Sequence, residues 1–217
     1  MAIRRESPPK RILVLGASGR TGRLVVEQAL GHGHQVVALV RDRARLQLAN
    51  DRLTVIEGDA TLSADVARAV EGCDAVISVL GSGGVRPVHV YSDGVANAIH
   101  AMAARGIDRL VVVSSQSVGA RTEELSLRAR AMRALPGMRE VYQDMERMEG
   151  DVMLSDLEWT IVRPAALTDG EQTGHYRVVE GAVVPGGAKI SRSDLAALLL
   201  KCAESERYTR RAVAVAY

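Results

Sequence analysis

Three glycines, Gly16, Gly19 and Gly22, stand three residues apart in the stretch Gly-Ala-Ser-Gly-Arg-Thr-Gly. An apolar run, Ile12 to Leu15, precedes them, and a segment with apolar residues at helical spacing follows. A glycine at the first position permits a tight turn, one at the second lets the backbone approach a pyrophosphate, and one at the third lets strand and helix pack closely. A helix opening near Arg20 presents free N–H groups and the positive end of its dipole. The chemistry this suits is nucleotide binding, with Gly16, Ser18, Gly19, Arg20, Thr21 and Gly22 around the phosphates.

The second apolar run ends at Leu39-Val40-Arg41-Asp42, about 20 residues beyond the loop, where an acidic side chain would take the ribose 2′-hydroxyl of NAD and an arginine the 2′-phosphate of NADP. Arg41 therefore argues for NADP(H), because a planar guanidinium grips phosphate through two parallel hydrogen bonds and also stacks on adenine. Asp42 is free to pair with a neighbouring arginine. Further along, Gly58-Asp59-Ala60 and Val79-Leu80-Gly81-Ser82 close two more apolar runs. Both fall where ligands of open α/β sheets bind, so Asp59, Ala60, Leu80 and Gly81 join the cofactor set, with Asp59 as acceptor for the adenine amino group.

The elements that must hold these residues are legible as an alternation. Ile12 to Leu15, Val36 to Val40, Leu53 to Ile56, Ala75 to Leu80, Leu110 to Val113 and Trp159 to Val162 suit strands buried on both faces. Between them, Arg20 to Leu30, Arg43 to Ala49, Ser63 to Glu71, Ser92 to Arg105 and Met138 to Leu154 carry helical periodicity. The rhythm predicts an α/β fold, a single Rossmann-like doubly wound parallel sheet with helices on both faces, over residues 11–217. Residues 1–10 are expected to form a loose leader. Gly174 to Val184 reads as a small extended excursion or hairpin outside the main sheet, Ser191 caps a helix reaching about Ala203, and Val213 to Val215 supply a last strand. Substrate-side segments are expected around 115–137 and 164–190. Within the first, the stretch bearing Arg121, Arg128, Arg130 and Arg133 reads as a solvated helix or as a lid.

Composition narrows the classes. The 217 residues carry 47% hydrophobic and 25% charged residues and a net charge of +2, which predicts a folded globular protein with no strong field toward nucleic acid or an anionic membrane. Phenylalanine is absent, so basic residues are not interleaved with stacking aromatics. There is no apolar run of about 18 residues to span a bilayer. Two cysteines are too few for a disulfide framework, and the five histidines show no metal-ligand spacing. No metal is expected, the cytoplasm is the default location, and monomer and homodimer both remain open.

Read in order, GASGRTG, LVRD, EGDA, SVLGS, VVVSSQS, SDLEWTIVRPAALTDG, TGHYRV and ISRSDLAALLLKC cover nearly the whole chain after the leader. With them the chain resembles the atypical short-chain dehydrogenase/reductase proteins of the NAD(P)-binding, NmrA-like group, and more narrowly the biliverdin-IXβ reductase/flavin reductase type. The resemblance implies that Ser115 hydrogen-bonds near the reacting centre and that Ser114 helps to shape it. It also implies that the backbone at Pro164 and Ala165 lies against the nicotinamide carboxamide. Where that type carries a histidine on the helix after the lid, this chain has Glu149, expected as a solvated helix carboxylate, with Arg147 nearby.

The superfamily's usual Tyr-x-x-x-Lys proton donor is missing: Tyr91, Tyr142, Tyr176 and Tyr208 are followed four residues on by Val95, Glu146, Glu180 and Ala212. Interconversion of alcohols and ketones then lacks its general acid. Hydride delivery to a conjugated acceptor such as a flavin, quinone or tetrapyrrole remains feasible, since such a molecule delocalises the added charge. A redox-sensing, NADP(H)-binding regulator is the alternative. A sugar-nucleotide epimerase or dehydratase is less favoured, because it needs an acid/base pair and more chain after Arg163.

Overall fold

Strands form where Val, Leu and Ile run consecutively: β1 (Arg11–Leu15), β2 (Gln35–Val40), β3 (Leu53–Glu57), β4 (Ala75–Ser78), β5 (Arg109–Val113) and β6 (Glu158–Pro164). β7 (Ala166–Thr168), β8 (Arg177–Glu180), β9 (Lys189–Ser191) and β10 (Arg211–Ala216) follow. The helices are α1 (Arg20–Gly31), α2 (Ser63–Ala69), α3 (Val90–Ala103), α4 (Leu127–Ala134), α5 (Pro136–Leu154) and α6 (Arg192–Glu204). This computed structural model describes residues 8–83, 88–125 and 127–217, apart from the side chains at 122, 128 and 136. Residues 1–7 of the expected leader and the Arg128 side chain lie outside the described residues.

Eight strands form one sheet in the order β3-β2-β1-β4-β5-β6-β10-β8. All neighbours are parallel except β8, which runs antiparallel to β10. Alternate residues of β1 feed two cores. Ile12 and Val14 pack with α1 and α6 on one face, while Leu13 and Leu15 pack with α2, α3 and α5 on the other. Truncating one of these fully buried leucines to alanine would cost about 2–5 kcal/mol. The strand order reverses between β1 and β4, and the crevice for a ligand opens there.

Two expectations are corrected. Residues 177–180 are not outside the sheet: β8 pairs Arg177 with Ala216 and Glu180 with Val213, so it covers the edge that β10 would otherwise expose. Nor do residues 43–49 form a full helix, since only Arg43–Arg45 make a 3-10 turn. In that segment Leu46 alone is buried, and one apolar anchor does not offset the cost of nucleating a longer helix.

Candidate functional site

A cavity of about 800 Å³ occupies the crevice at the carboxyl ends of the strands. The loop after β1 forms its floor. Gly16 has φ +81°, and a Cβ there would lie 2.6 Å from the Val79 carbonyl oxygen; a Cβ on Gly22 would collide with the Gly16 carbonyl. The first therefore shapes the turn, and the second lets α1 press against it. Gly19 caps α1 without a side chain, and the first turn holds no acidic residue, so its amides are left to a ligand. Gly16, Ser18, Gly19, Arg20 and Thr21 line the cavity, whereas Gly22 lies beneath it as a packing residue.

Arg41, Asp59, Ala60, Leu80 and Gly81 also line the cavity. Asp59 Oδ1 accepts from the Thr61 N–H and hydroxyl, both at 2.9 Å, in a turn that fixes the loop after β3. Asp42 pairs with no arginine among the described residues; its carboxylate instead accepts from the Ala44 N–H at 2.9 Å and caps the 3-10 turn. That turn brings Arg45 into the cavity beside Arg41, a contribution that the Arg-Asp-Arg-Ala-Arg stretch already contained.

The two serines after β5 are placed differently. Ser114 lines the cavity and is 3% exposed, and its hydroxyl has no hydrogen-bond partner. A buried hydroxyl left unpaired is costly unless a ligand completes it. The Ser115 hydroxyl accepts from the Ser117 N–H at 3.2 Å, and Ser115 is not among the lining residues. Pro164 and Ala165 do not line the cavity either; the Pro164 carbonyl accepts from Gln116 N–H and the Ala165 N–H donates to Val215. The glycine cradle, the uncapped first turn of α1 and the orphaned Ser114 hydroxyl together fit a dinucleotide.

Arg192 is a lining residue that periodicity gives no reason to single out, being simply the first residue of α6. Asp169 joins it at 2.8 Å and also pairs with Arg20, so one carboxylate bridges the starts of α6 and α1. Burial and the nearby Arg20 guanidinium lower the Arg192 pKa. Behind this bridge, buried Asp194 accepts from Thr173 N–H at 3.0 Å, Gly174 N–H at 2.8 Å and the Tyr217 hydroxyl at 2.7 Å. Desolvation works to raise the Asp194 pKa, but these hydrogen bonds outweigh it and hold it below its ordinary value.

Glu149 is not a solvated helix carboxylate. It is 4% exposed and accepts from Arg163 Nε at 2.9 Å and Nη2 at 2.5 Å. Its place on the inner face of α5 puts it against β6, where only a guanidinium with two parallel donors satisfies both carboxylate oxygens. α5 presents Met145 to the cavity, and Met145 has no acid/base chemistry to offer there. The arginines of the 119–137 segment fold it locally: Arg133 donates to the Ser117 and Ala120 carbonyls and pairs with Glu146, and Arg130 donates to Leu125 and Glu123. None of the described residues of that segment lines the cavity.

His32 Nδ1 and His34 Nε2 each lie 2.9 Å from Glu204, the one grouping among the described residues with metal-ligand spacing. His34 Nδ1 accepts from the Lys10 N–H at 3.0 Å, which leaves the proton on Nε2. That nitrogen donates to Glu204 and has no lone pair for a cation. Desolvation would raise the Glu204 pKa, yet the hydrogen bonds from His34 and His32 hold it lower. No described helix is long and apolar enough to cross a membrane.

The chain is similar to known proteins over almost its full length. It is 29% identical over 212 residues to the uncharacterized sugar epimerase YhfK of Bacillus subtilis, covering 93% of this chain and 92% of that one. Among solved structures, ChuY, an anaerobillin reductase from Escherichia coli O157:H7, superposes with a TM-score of 0.79 at 26% identity, covering 95% of this chain and 96% of that one. The oxidoreductase ylbE from Lactococcus lactis shares the fold with a TM-score of 0.82 at 19% identity, over 95% of this chain and 90% of that one. The sequence pattern of the NAD(P)H-binding family matches residues 16–206. The chain belongs to this NAD(P)H-binding family and has a Rossmann-like fold.

Proposed function

We propose that the protein is an NADPH-dependent reductase that passes hydride to a conjugated small-molecule acceptor such as a flavin, a quinone or a tetrapyrrole-like molecule. The observation that carries this reading is the pairing, at one end of the cavity, of an unpartnered Ser114 hydroxyl with the apolar side chains of Val113, Met145 and Leu167. That end has a hydrogen-bonding group to orient a ring and no Tyr-x-x-x-Lys acid to protonate an alkoxide. When bound, the reduced nicotinamide supplies a hydride with its electron pair, the acceptor takes it together with one solvent proton, and the oxidised nicotinamide remains.

The chain's own residues bind and orient. The α1 amides and Arg20 hold the diphosphate, Arg41 and Arg45 hold the 2′-phosphate, and Asp59, Ala60, Leu80 and Gly81 enclose the adenosine half. Ser114 fixes the nicotinamide end, while Val113, Met145 and Leu167 keep water from the reacting face. Pro164 and Ala165 support that end from behind through their backbone bonds. Likeness to ChuY, an anaerobillin reductase, supports a reductase, and none of the tyrosines is followed by the lysine of a Tyr-x-x-x-Lys pair.

The test is NADPH oxidation with a panel of flavins, quinones and linear tetrapyrroles. Turnover of at least one acceptor, faster with NADPH than with NADH, is the expected result. No turnover with any of them, combined with clearly different affinities for NADPH and NADP⁺, would replace this reading with that of a redox-sensing regulator.

A further inference from the structure

We infer that Arg192, at the start of α6, is a second diphosphate-binding arginine beside Arg20, and that Asp169 is an internal competitor that holds both guanidiniums until the cofactor displaces it. This rests on a dinucleotide lying on the first turn of α1, and not on the choice of acceptor. Asp169 Oδ1 accepts from Arg192 at 2.8 Å and its Oδ2 accepts from Arg20, so each carboxylate oxygen serves one guanidinium. Both arginines line the cavity, whereas Asp169 is not among the lining residues. Two charges able to meet a phosphate inside the cavity are thus held by an anion of the chain itself.

The three helix starts at the cavity meet their charge differently. That of α3 is filled from behind: fully buried Asp144 on α5 accepts from the Tyr91 N–H at 2.9 Å, the Ser92 N–H at 3.4 Å and the Ser92 hydroxyl at 2.5 Å. That of α6 is capped by the Ser191 hydroxyl, which accepts from the Asp194 N–H at 3.0 Å. The cap of α1 is Gly19, with no side chain to offer, and its first residue is Arg20. A phosphate is therefore received at α1, and the Asp169 bridge brings Arg192 to the side of that helix start.

Charge decides which anion prevails. Asp169 brings one negative charge, whereas a diphosphate carries one on each of its two phosphates and faces two guanidiniums. The Asp169 side chain is 67% exposed, so water solvates it once it lets go, and such an exposed pair is weak. Arg192 is 15% exposed and leans far more on the anion beside it. Burial and then the Arg20 guanidinium lower the Arg192 pKa, and a doubly charged anion relieves that crowding of like charge further than one carboxylate does. Each guanidinium also presents parallel donors that suit phosphate oxygens.

NADPH and NADH carry the same diphosphate and differ at the 2′-phosphate, which makes them the diagnostic pair. Both are titrated by fluorescence at low ionic strength, in buffer free of phosphate and sulfate. Asp169→Asn should tighten both by a similar factor of about 3- to 5-fold, the scale of an exposed ion pair. Arg192→Gln should weaken both by about 10-fold. Unchanged or weaker binding in Asp169→Asn, or an effect on NADPH alone, overturns the inference. So does an Arg192→Gln variant that keeps both cofactor affinities, including one that raises only the KM of an acidic acceptor and thereby assigns the arginine to the substrate. If the parent binds neither cofactor, the dinucleotide reading of the cavity fails, and calorimetry with inorganic pyrophosphate decides the subsite by itself. Tighter pyrophosphate binding to Asp169→Asn than to the parent sustains it; equal or weaker binding, or none, overturns it.

Discussion

Glu149 on α5 and Arg163 on β6 form a two-point ion pair in the interior, with 2.9 and 2.5 Å between their paired atoms. The Arg163 guanidinium also donates to the Gly181 carbonyl, so one buried group ties a helix, a parallel strand of the sheet and the turn after β8. Removing one partner leaves a charge without its counterpart, so Glu149→Ala should lose about 3–5 kcal/mol in urea unfolding. Replacing both, as in Glu149→Leu with Arg163→Met, should cost clearly less than either single truncation. Additive losses would mean that the two side chains do not act as a pair.

Ser114 and Ser115 should separate cleanly. Ser114→Ala removes an unpaired buried hydroxyl, so the free protein should be as stable as the parent or slightly more so. Its turnover should nevertheless fall about 10-fold, because one group that orients the reacting ring is gone. Ser115→Ala should lose about 1 kcal/mol of stability, through the bond from the Ser117 N–H, and leave turnover near the parent value. Thermal unfolding beside single-turnover kinetics reads both effects.

Arg41→Ala should weaken NADPH binding by about 10- to 100-fold and leave NADH binding nearly unchanged, since only NADPH carries the 2′-phosphate. Fluorescence titration with the two reduced cofactors measures this. Arg45→Ala should act in the same direction, and parallel losses for both cofactors would place neither arginine at the 2′-phosphate.

The Asp194 carboxylate is held below its ordinary pKa, so its contribution to stability is present above the usual carboxylate range of about 4 and disappears as the pH falls through its folded value. Asp194→Asn should cost about 2 kcal/mol at neutral pH through the bonds to Thr173, Gly174 and Tyr217. Melting curves of parent and variant should converge as the pH falls through that folded value. A gap that stays constant with pH would assign the loss to packing alone.

The sheet, its parallel sense and the glycine cradle were legible because they depend on local signals: consecutive Val and Leu residues, helical periodicity and glycine spacing. Arg41 was legible for the same reason, standing at the end of a strand. The fate of Glu149 was not, because its partner Arg163 lies fourteen residues away on another element and only the fold brings them together. Arg192, Asp169 and Asp144 escaped notice likewise: each acts through a contact between helix starts or loops that has no periodic trace. The choice between Ser114 and Ser115 turns on which way two adjacent side chains point after a strand, and the sequence Ser-Ser is silent on that.

The central claim is that a dinucleotide lies across the crevice with its diphosphate on the first turn of α1, and amide hydrogen exchange with and without NADPH tests it most directly. Slowed exchange confined to residues 16–24, 39–45, 79–83 and 113–115 is the predicted result. Unchanged exchange there at saturating NADPH, or protection centred on another face of the sheet, would contradict it.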